Sequence, residues 1–453
     1  MTKPMARHEA TVTWRGNSNK LSMRGRGTVT RRFPDIDQTR CQTSCAARAT
    51  VWAIIVPWPG ERRSDNRPVA GRDETGWVLM LGADPVPWLL ASDEPATRWL
   101  TLTSLLDRPF DDPDVTASHA AALADQGTAA LIGRLPDWEV PGKLSGHDSP
   151  AFAPNILCLL ARMGVGRGDS PVVEALLEAM LRHQEENGRF ATLAVSRVTP
   201  TGAWGALLCD THAITEALIR FGHDDAPAVR GALARMEADL AANDAGIAWP
   251  CVATLGFRGP GRKADPCPQV TVEALRVFAL LPGERRPAAV VEAARTLLAV
   301  WRRRGTSQPY MFGHGLRFKT VKWPPFWYGV LGVLDALGGY PELWRGDGAR
   351  AEDRRSIAEL AACLVAYNVD AAGRVTPQSC YRVFEGFSFG QKKLPSPFAT
   401  ALVAAVLRRF DDLAEDVAAV DVLSLGSSKG GDGTARPPKP GLSWVTDASE
   451  AVG

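Results

Sequence analysis

From Pro85 onward, apolar and polar residues alternate at helical spacing. The stretch Pro87–Leu106, PWLLASDEPATRWLTLTSLL, is interrupted by Ser92-Asp93-Glu94-Pro95, which supplies an N-cap, first-turn acids and an early proline. Two helices are predicted there, and Asp111-Asp112-Pro113 starts another. The pattern then recurs. LLARMG ends a helix at Gly164 and GDSPVVEALLEAMLRHQEENGRF follows; EALIRFG ends one at Gly222 and DDAPAVRGALARMEADLAANDAGIAW follows. VEALRVFALLPGERR precedes RPAAVVEAARTLLAVWRRR, and VLGVLDALGG precedes SIAELAACLVAYNVDAAGRV after a polar insert. PFATALVAAVLRRF closes the series near Phe410.

The repeating unit is an apolar helix, a Gly or Pro turn, an amphipathic helix begun by Asp or Pro, and a Gly loop. Gly164 and Gly222 lie 58 residues apart, a length that points to stacked helix pairs. The first helix of each pair is apolar on most faces, as around Ile214–Leu218 and Val330–Leu337, and the second carries charge on one face, as at Glu174, Glu178 and Arg182. Helices apolar all round are buried, whereas amphipathic ones face water. An inner ring of helices inside an outer ring satisfies both. The predicted fold is therefore all-α, an (α/α) toroid of about five or six hairpins, with an open superhelical solenoid as the alternative.

Composition limits the possibilities further. The 453 residues are 45% hydrophobic with a formal net charge of +2, which argues against a dedicated nucleic-acid binder. Residues 1–76 carry 14 Lys and Arg against 7 Asp and Glu and show no sustained period. They are expected to be a disordered basic extension, in which Cys41 and Cys45 lack a second ligand pair. The helical domain is expected over 80–424, and 425–453, rich in Gly, Ser, Lys and Pro, as a flexible tail. No apolar run reaches transmembrane length. Scattered cysteines and the lack of a secretory leader predict a cytoplasmic protein with reduced thiols.

Gln184-Glu185-Glu186-Asn187-Gly188-Arg189-Phe190 fits the pattern Q-x-x-x-G-x-(W/F). It resembles the repeat loop of squalene and terpenoid cyclases and of protein prenyltransferase β subunits. Weaker copies are Asn243-Asp244-Ala245-Gly246 with Trp249, and Asp370-Ala371-Ala372-Gly373. With the opening PVPWLLASDEPATRWLTLTSLLDRP, residues 85–410 resemble bacterial proteins carrying prenyltransferase/squalene-oxidase-type repeats. In such a loop the Gln amide bonds backbone groups at a helix end, the Gly permits a left-handed turn, and the aromatic ring packs between hairpins. The resemblance implies the toroid and an isoprenoid or similar hydrophobic anionic substrate in a central cavity. Two family motifs weigh on the chemistry. The D-x-D-D acid of the cyclases is absent, and Asp411-Asp412-Leu413-Ala414-Glu415, although it fits D-D-x-x-(D/E), reads as a solvated turn.

The prenyltransferases of this fold hold one zinc through Asp, Cys and His near inner-helix ends. The corresponding candidates here are Cys209, Cys251, Cys267 and His314, each beside a turn or helix start; thiolates with one imidazole suit tetrahedral Zn²⁺. The alternative is three small buried thiols and an unrelated histidine. Arg262, Lys263, Lys319, Lys322, Lys392 and Lys393 precede inner helices, whose N-termini favour anions, so they are candidate anion-binding groups. Trp204, Trp323, Trp327 and Tyr328 are candidate pocket rings, able to stabilise cationic carbon through their π faces or simply to pack between hairpins. Two functions follow: an enzyme acting on an isoprenoid, with zinc as its expected cofactor, or a non-catalytic helical-repeat binding module with at most a structural zinc.

Overall fold

The computed structural model describes residues 75–140, 149–194, 201–251, 266–306 and 312–425. The expectations for the basic extension, for the tail and for Arg262 and Lys263 fall outside the described residues. The chain is mostly helical, with three short strand pairs.

The first helices are α1 (Gly76–Leu81), α2 (Val86–Leu90), α3 (Pro95–Ser104), α4 (Pro113–Ala124) and α5 (Gln126–Ile132). The next are α6 (Ala153–Arg162), α7 (Pro171–Arg182), α8 (Leu208–Arg220), α9 (Pro227–Ala238), α10 (Pro268–Ala279) and α11 (Ala288–Arg302). The last are α12 (Leu316–Lys319), α13 (Val330–Leu337), α14 (Ala351–Asn368), α15 (Pro397–Arg408) and α16 (Ala414–Ala418). The starts are those that the sequence dictates. Proline occupies the first turn of α3, α4, α6, α7, α9, α10 and α15, where its missing N–H costs nothing. Ser170 accepts from the Val173 N–H and Ser396 from the Ala399 N–H, capping α7 and α15.

The division into buried and amphipathic helices is observed. In α8 every residue from Leu208 to Ile219 is buried, in α10 only Arg276 is not, and α13 is buried throughout. In α7 and α9 the buried residues form one stripe, including Val173, Leu177 and Met180, and Val229, Ala232 and Met236. The buried helices pack in series: α6 on α8, α8 on α10, α10 on α13, α13 on α15, and α15 on α3. From α3 the contacts run through α4 and α5 back to α6.

The period read from the sequence reappears in the bonds that join successive units. His212 meets the Val270 carbonyl, Trp301 donates to Glu359, and Arg295 pairs with Asp353, all across 58 residues. The Gln184 loop is one of these joints. Its amide donates to the Gly188 carbonyl at 2.9 Å and to the Ala228 carbonyl of α9 at 2.6 Å, while Phe190 is buried. Gly188 has φ 89°, and a Cβ there would stand 2.7 Å from the Gly231 carbonyl oxygen. The last copy of the loop docks elsewhere: a Cβ on Gly373 would stand 2.7 Å from the Ala83 carbonyl, just beyond α1. Asp411 accepts from the Trp77 N–H at 2.9 Å and Asp412 from Trp344 Nε1 at 3.2 Å. The acidic run at 411–415 thus fastens α1 and the segment before α14.

Gly188→Ala combines left-handed strain with a backbone collision and is expected to cost about 2–4 kcal/mol. Gly168→Ala, with φ 83° but open space around the new Cβ, should cost only the strain, about 1–2 kcal/mol. Urea denaturation of both variants checks the difference; equal losses would show that the docking of the loop on α9 contributes nothing.

Candidate central cavity and its charged floor

The buried helices bring their last turns together. Arg162 ends α6, Arg220 ends α8, Arg276 lies in the last turn of α10, and Arg409 caps α15. Cations at helix C-termini offset the partial negative charge of the unpaired carbonyls. Two carboxylates bind these guanidinium groups. Asp335 of α13 receives Arg162 at 2.5 Å and Arg409 at 2.6 Å, and Glu216 of α8 receives Arg220 at 2.9 Å and Arg276 at 3.0 Å. Arg409 also donates to the Asp335 backbone carbonyl at 2.7 Å.

Burial alone would raise the carboxyl pKa of Asp335, but Arg162 and Arg409 outweigh it and hold the group well below the ordinary range. Burial acts likewise on Glu216 and is outweighed by Arg276, Arg220 and Arg162. Both acids are therefore ionised at neutral pH, and neither is a proton donor. Cys158, beside them on α6, is the reverse case: burial, with help from Glu216, pushes its thiol up to about 12.

Above this layer lies a small cavity, about 50 Å³ of enclosed space that opens through a mouth. It is bounded by α6, α8, α10, α13, α15 and the segment Trp323–Phe326. Leu159, Leu331, Leu402 and Val406 give it aliphatic walls, and Trp323 and Phe398 add rings. Arg162, Glu216, Arg276 and Asp335 are its charged lining.

The candidates of the opposite end are mostly engaged in the protein itself. Cys209 lies in the first turn of α8, and Cys267 is the N-cap of α10. The Cys267 N–H donates to the Trp249 carbonyl at 3.1 Å, which draws Cys251 and Cys267 together. The hydrogen bond between their thiols, and then burial, raise the Cys267 pKa well above its ordinary value. His314 is fully buried. Its Nε2 meets the Tyr328 hydroxyl at 2.9 Å, and Trp301, Phe318 and Tyr328 stand edge-on around the ring. Among the described residues no group of three or more His, Cys, Asp or Glu comes together in a way that could hold a metal ion.

The cations are placed similarly. Lys319 is buried, donates to the Leu425 carbonyl at 3.2 Å and lies over the Tyr367 ring. Lys322 sits 3.8 Å from the centre of the Tyr381 ring, and Lys392 and Lys393 are exposed. Of the four candidate rings only Trp323 lines the cavity. Trp204 stacks on His183 at 3.7 Å, and Trp327 is partly exposed against Phe312.

The charged floor was not singled out in the sequence, yet a signal for it exists. Arg162, Arg220, Arg276 and Asp335 follow one another at intervals of 58, 56 and 59 residues. A charge that recurs at the same register of successive apolar helices implies that the charges meet. Scans against protein-family models, curated proteins and solved structures return no match to this chain.

Two outcomes follow from this geometry. Asp335→Ala strands two buried guanidinium groups and is expected to cost about 3–5 kcal/mol. Asp416→Ala breaks a half-exposed pair with Arg354 and should cost less than about 1 kcal/mol in the same urea titrations. The second outcome concerns acid. Burial lowers the pKa of His212 to about 4 despite Glu273, and burial, then Arg304 and Lys319, lowers that of His314 to about 4. Both folded values lie below the unfolded one, so the unfolded chain takes up protons first and stability falls as pH drops from about 6.5 toward 4. Each histidine should account for about 2 kcal/mol of loss between pH 7 and 5, a window in which the depressed carboxylates do not titrate. His314→Gln should remove a large share of that pH dependence, the rest lying with His212 and with His223, whose pKa burial also lowers; an unchanged slope would contradict the assignment.

Proposed function

We propose that the chain forms a closed (α/α) ring of the terpenoid cyclase and protein prenyltransferase kind, and that it binds a hydrophobic, isoprenoid-type small molecule at its centre. The return of helix contacts from α15 through α3, α4 and α5 to α6 supports the ring. So does the docking of the last Gly loop on Ala83, just beyond α1. The observation that carries the ligand is the cavity itself, an apolar space placed where the buried helices converge. Its enclosed part has room for about three or four waters. Even a short isoprenoid would therefore place only its end inside and project through the mouth.

Binding without acid-initiated cyclisation is the better supported form of this reading. Cyclisation needs a protonated carboxyl at the substrate, and the two acids lining the cavity are held ionised by arginine pairs. That observation favours a binding module over a cyclase. Zinc would enter through Cys251 and Cys267, candidate ligands whose thiols meet. Elemental analysis of the wild type against Cys267→Ala tests the metal: about one equivalent, lost in the variant, supports it, and a metal-free wild type removes it. Among the described residues no helix is long and apolar enough to cross a membrane.

Calorimetric titration with geraniol and farnesol tests the cavity. Saturable binding is expected to the wild type, weakened at least about tenfold in Leu402→Trp, which fills the centre with a larger ring. Equal affinity in the two proteins, or no saturable binding of either alcohol, would overturn the reading.

A further inference from the structure

The floor of the cavity is a layer of charges. Four guanidinium groups, Arg162, Arg220, Arg276 and Arg409, meet three carboxylates, Glu216, Glu273 and Asp335. Water is largely excluded there, so a cationic donor left without an acceptor is costly, and the cost falls when an anion joins it.

Arg276 is the group placed to receive that anion. It lines the cavity and engages Glu216 through Nε alone, at 3.0 Å. Among the described residues its two terminal nitrogens have no acceptor, although the guanidinium fork suits a carboxylate or phosphate with two parallel bonds. A second donor stands in the same wall. Trp323 is 1% exposed, and its Nε1 has no hydrogen-bond partner. A buried N–H without an acceptor is itself unfavourable, and a ligand oxygen would satisfy it. Away from the charged floor and Asn155 the lining is largely aliphatic or aromatic, so it rewards an apolar body there.

We infer that the natural ligand of this cavity is a short amphiphilic monoanion, its oxyanion head held by Arg276 at the floor and its apolar chain packed against Leu159, Leu402 and Val406. The inference rests on the central cavity proposed above and adds the class of its ligand. It also places the head at the C-terminal ends of the buried helices, away from the lysines at their N-terminal ends. The other charges around Arg276 fit a monoanion better than a diphosphate. Glu216, Glu273 and Asp335 would repel a second negative charge.

Calorimetry with octanoate and octanol, which share a chain and differ in charge, tests this in the full-length protein. Octanoate is expected to bind at least about tenfold more tightly than octanol, as a charge-assisted pair in a dry site requires. Arg276→Gln should abolish that preference while octanol binding persists, and Arg276→Lys should restore part of it. Leu402→Trp should weaken both probes. If octanol binds and octanoate binds no better, the head-group assignment fails and the cavity stands. If neither binds, the cavity reading itself fails. Removal of Arg276 leaves Glu216 with one partner fewer, so each variant is first compared with wild type by circular dichroism and thermal melting. Should Arg276→Gln not fold, the wild-type preference between the two probes decides.

Discussion

Everything at the centre of this molecule depends on how the parallel buried helices end. Five of them direct their C-terminal turns at one region, and each brings unpaired carbonyls with partial negative charge. Arranged so, the helix ends would repel one another and strand their acceptors. The guanidinium groups of Arg162, Arg220, Arg276 and Arg409 answer both difficulties, because they carry charge of the right sign and several donors each. They in turn need counter-charges, and Asp335 and Glu216 each bind two of them. The single Asp335 side chain ties α6, α13 and α15 together across more than half the domain's sequence, and Glu216 does the same for α8 and α10.

This layer also determines what the rest of the interior can be. Its ion pairs hold the helix ends in place beneath the open space. Leu159, Leu331, Leu402 and Val406 stop short of one another around the cavity. On the outside, the bonds between units are of a different kind. Gln184 reaches across to α9, Arg189 pairs with Asp239, and Arg295 and Arg302 both reach Asp353. Each outer bond links a unit only to its neighbour, so the outer layer sets the spacing of the units and the inner layer sets their convergence.

The repeat and the division between buried and amphipathic helices were legible in the sequence because both follow from periodicity, which packing obeys directly. The Gln184 loop was legible too, down to the left-handed Gly188 and the buried Phe190. The meeting of charges at the floor was harder to read. Glu216, Arg276 and Asp335 sit in helices otherwise read as core, and the partners they reach on other helices lie about 60 to 170 residues away. Only the common register of Arg162, Arg220, Arg276 and Asp335 announces the layer. The opposite end shows the converse. Cys267, His314, Lys319 and Lys322 carry conspicuous chemistry in a linear sequence, but nothing local reveals whether that chemistry has already been taken up. In the folded chain His314 is spent on Tyr328, Lys319 on the Leu425 carbonyl and Lys322 on the Tyr381 ring.

The distinction between a group that is present and a group that is available governs function here more than residue type does. Acid catalysis demands a carboxyl that keeps its proton near neutral pH, which requires burial without cationic partners. Glu216 and Asp335 are buried, but the arginines that make their burial tolerable also fix them as anions. The same network cannot both hold the helix ends together and lend a proton. Of its members, Arg276 is tied through one nitrogen to a single carboxylate while lining the open space. Its fixed charge cannot protonate a substrate, but it can orient one. A centre built this way favours recognition over proton transfer, and that follows from the structural task the charges already perform.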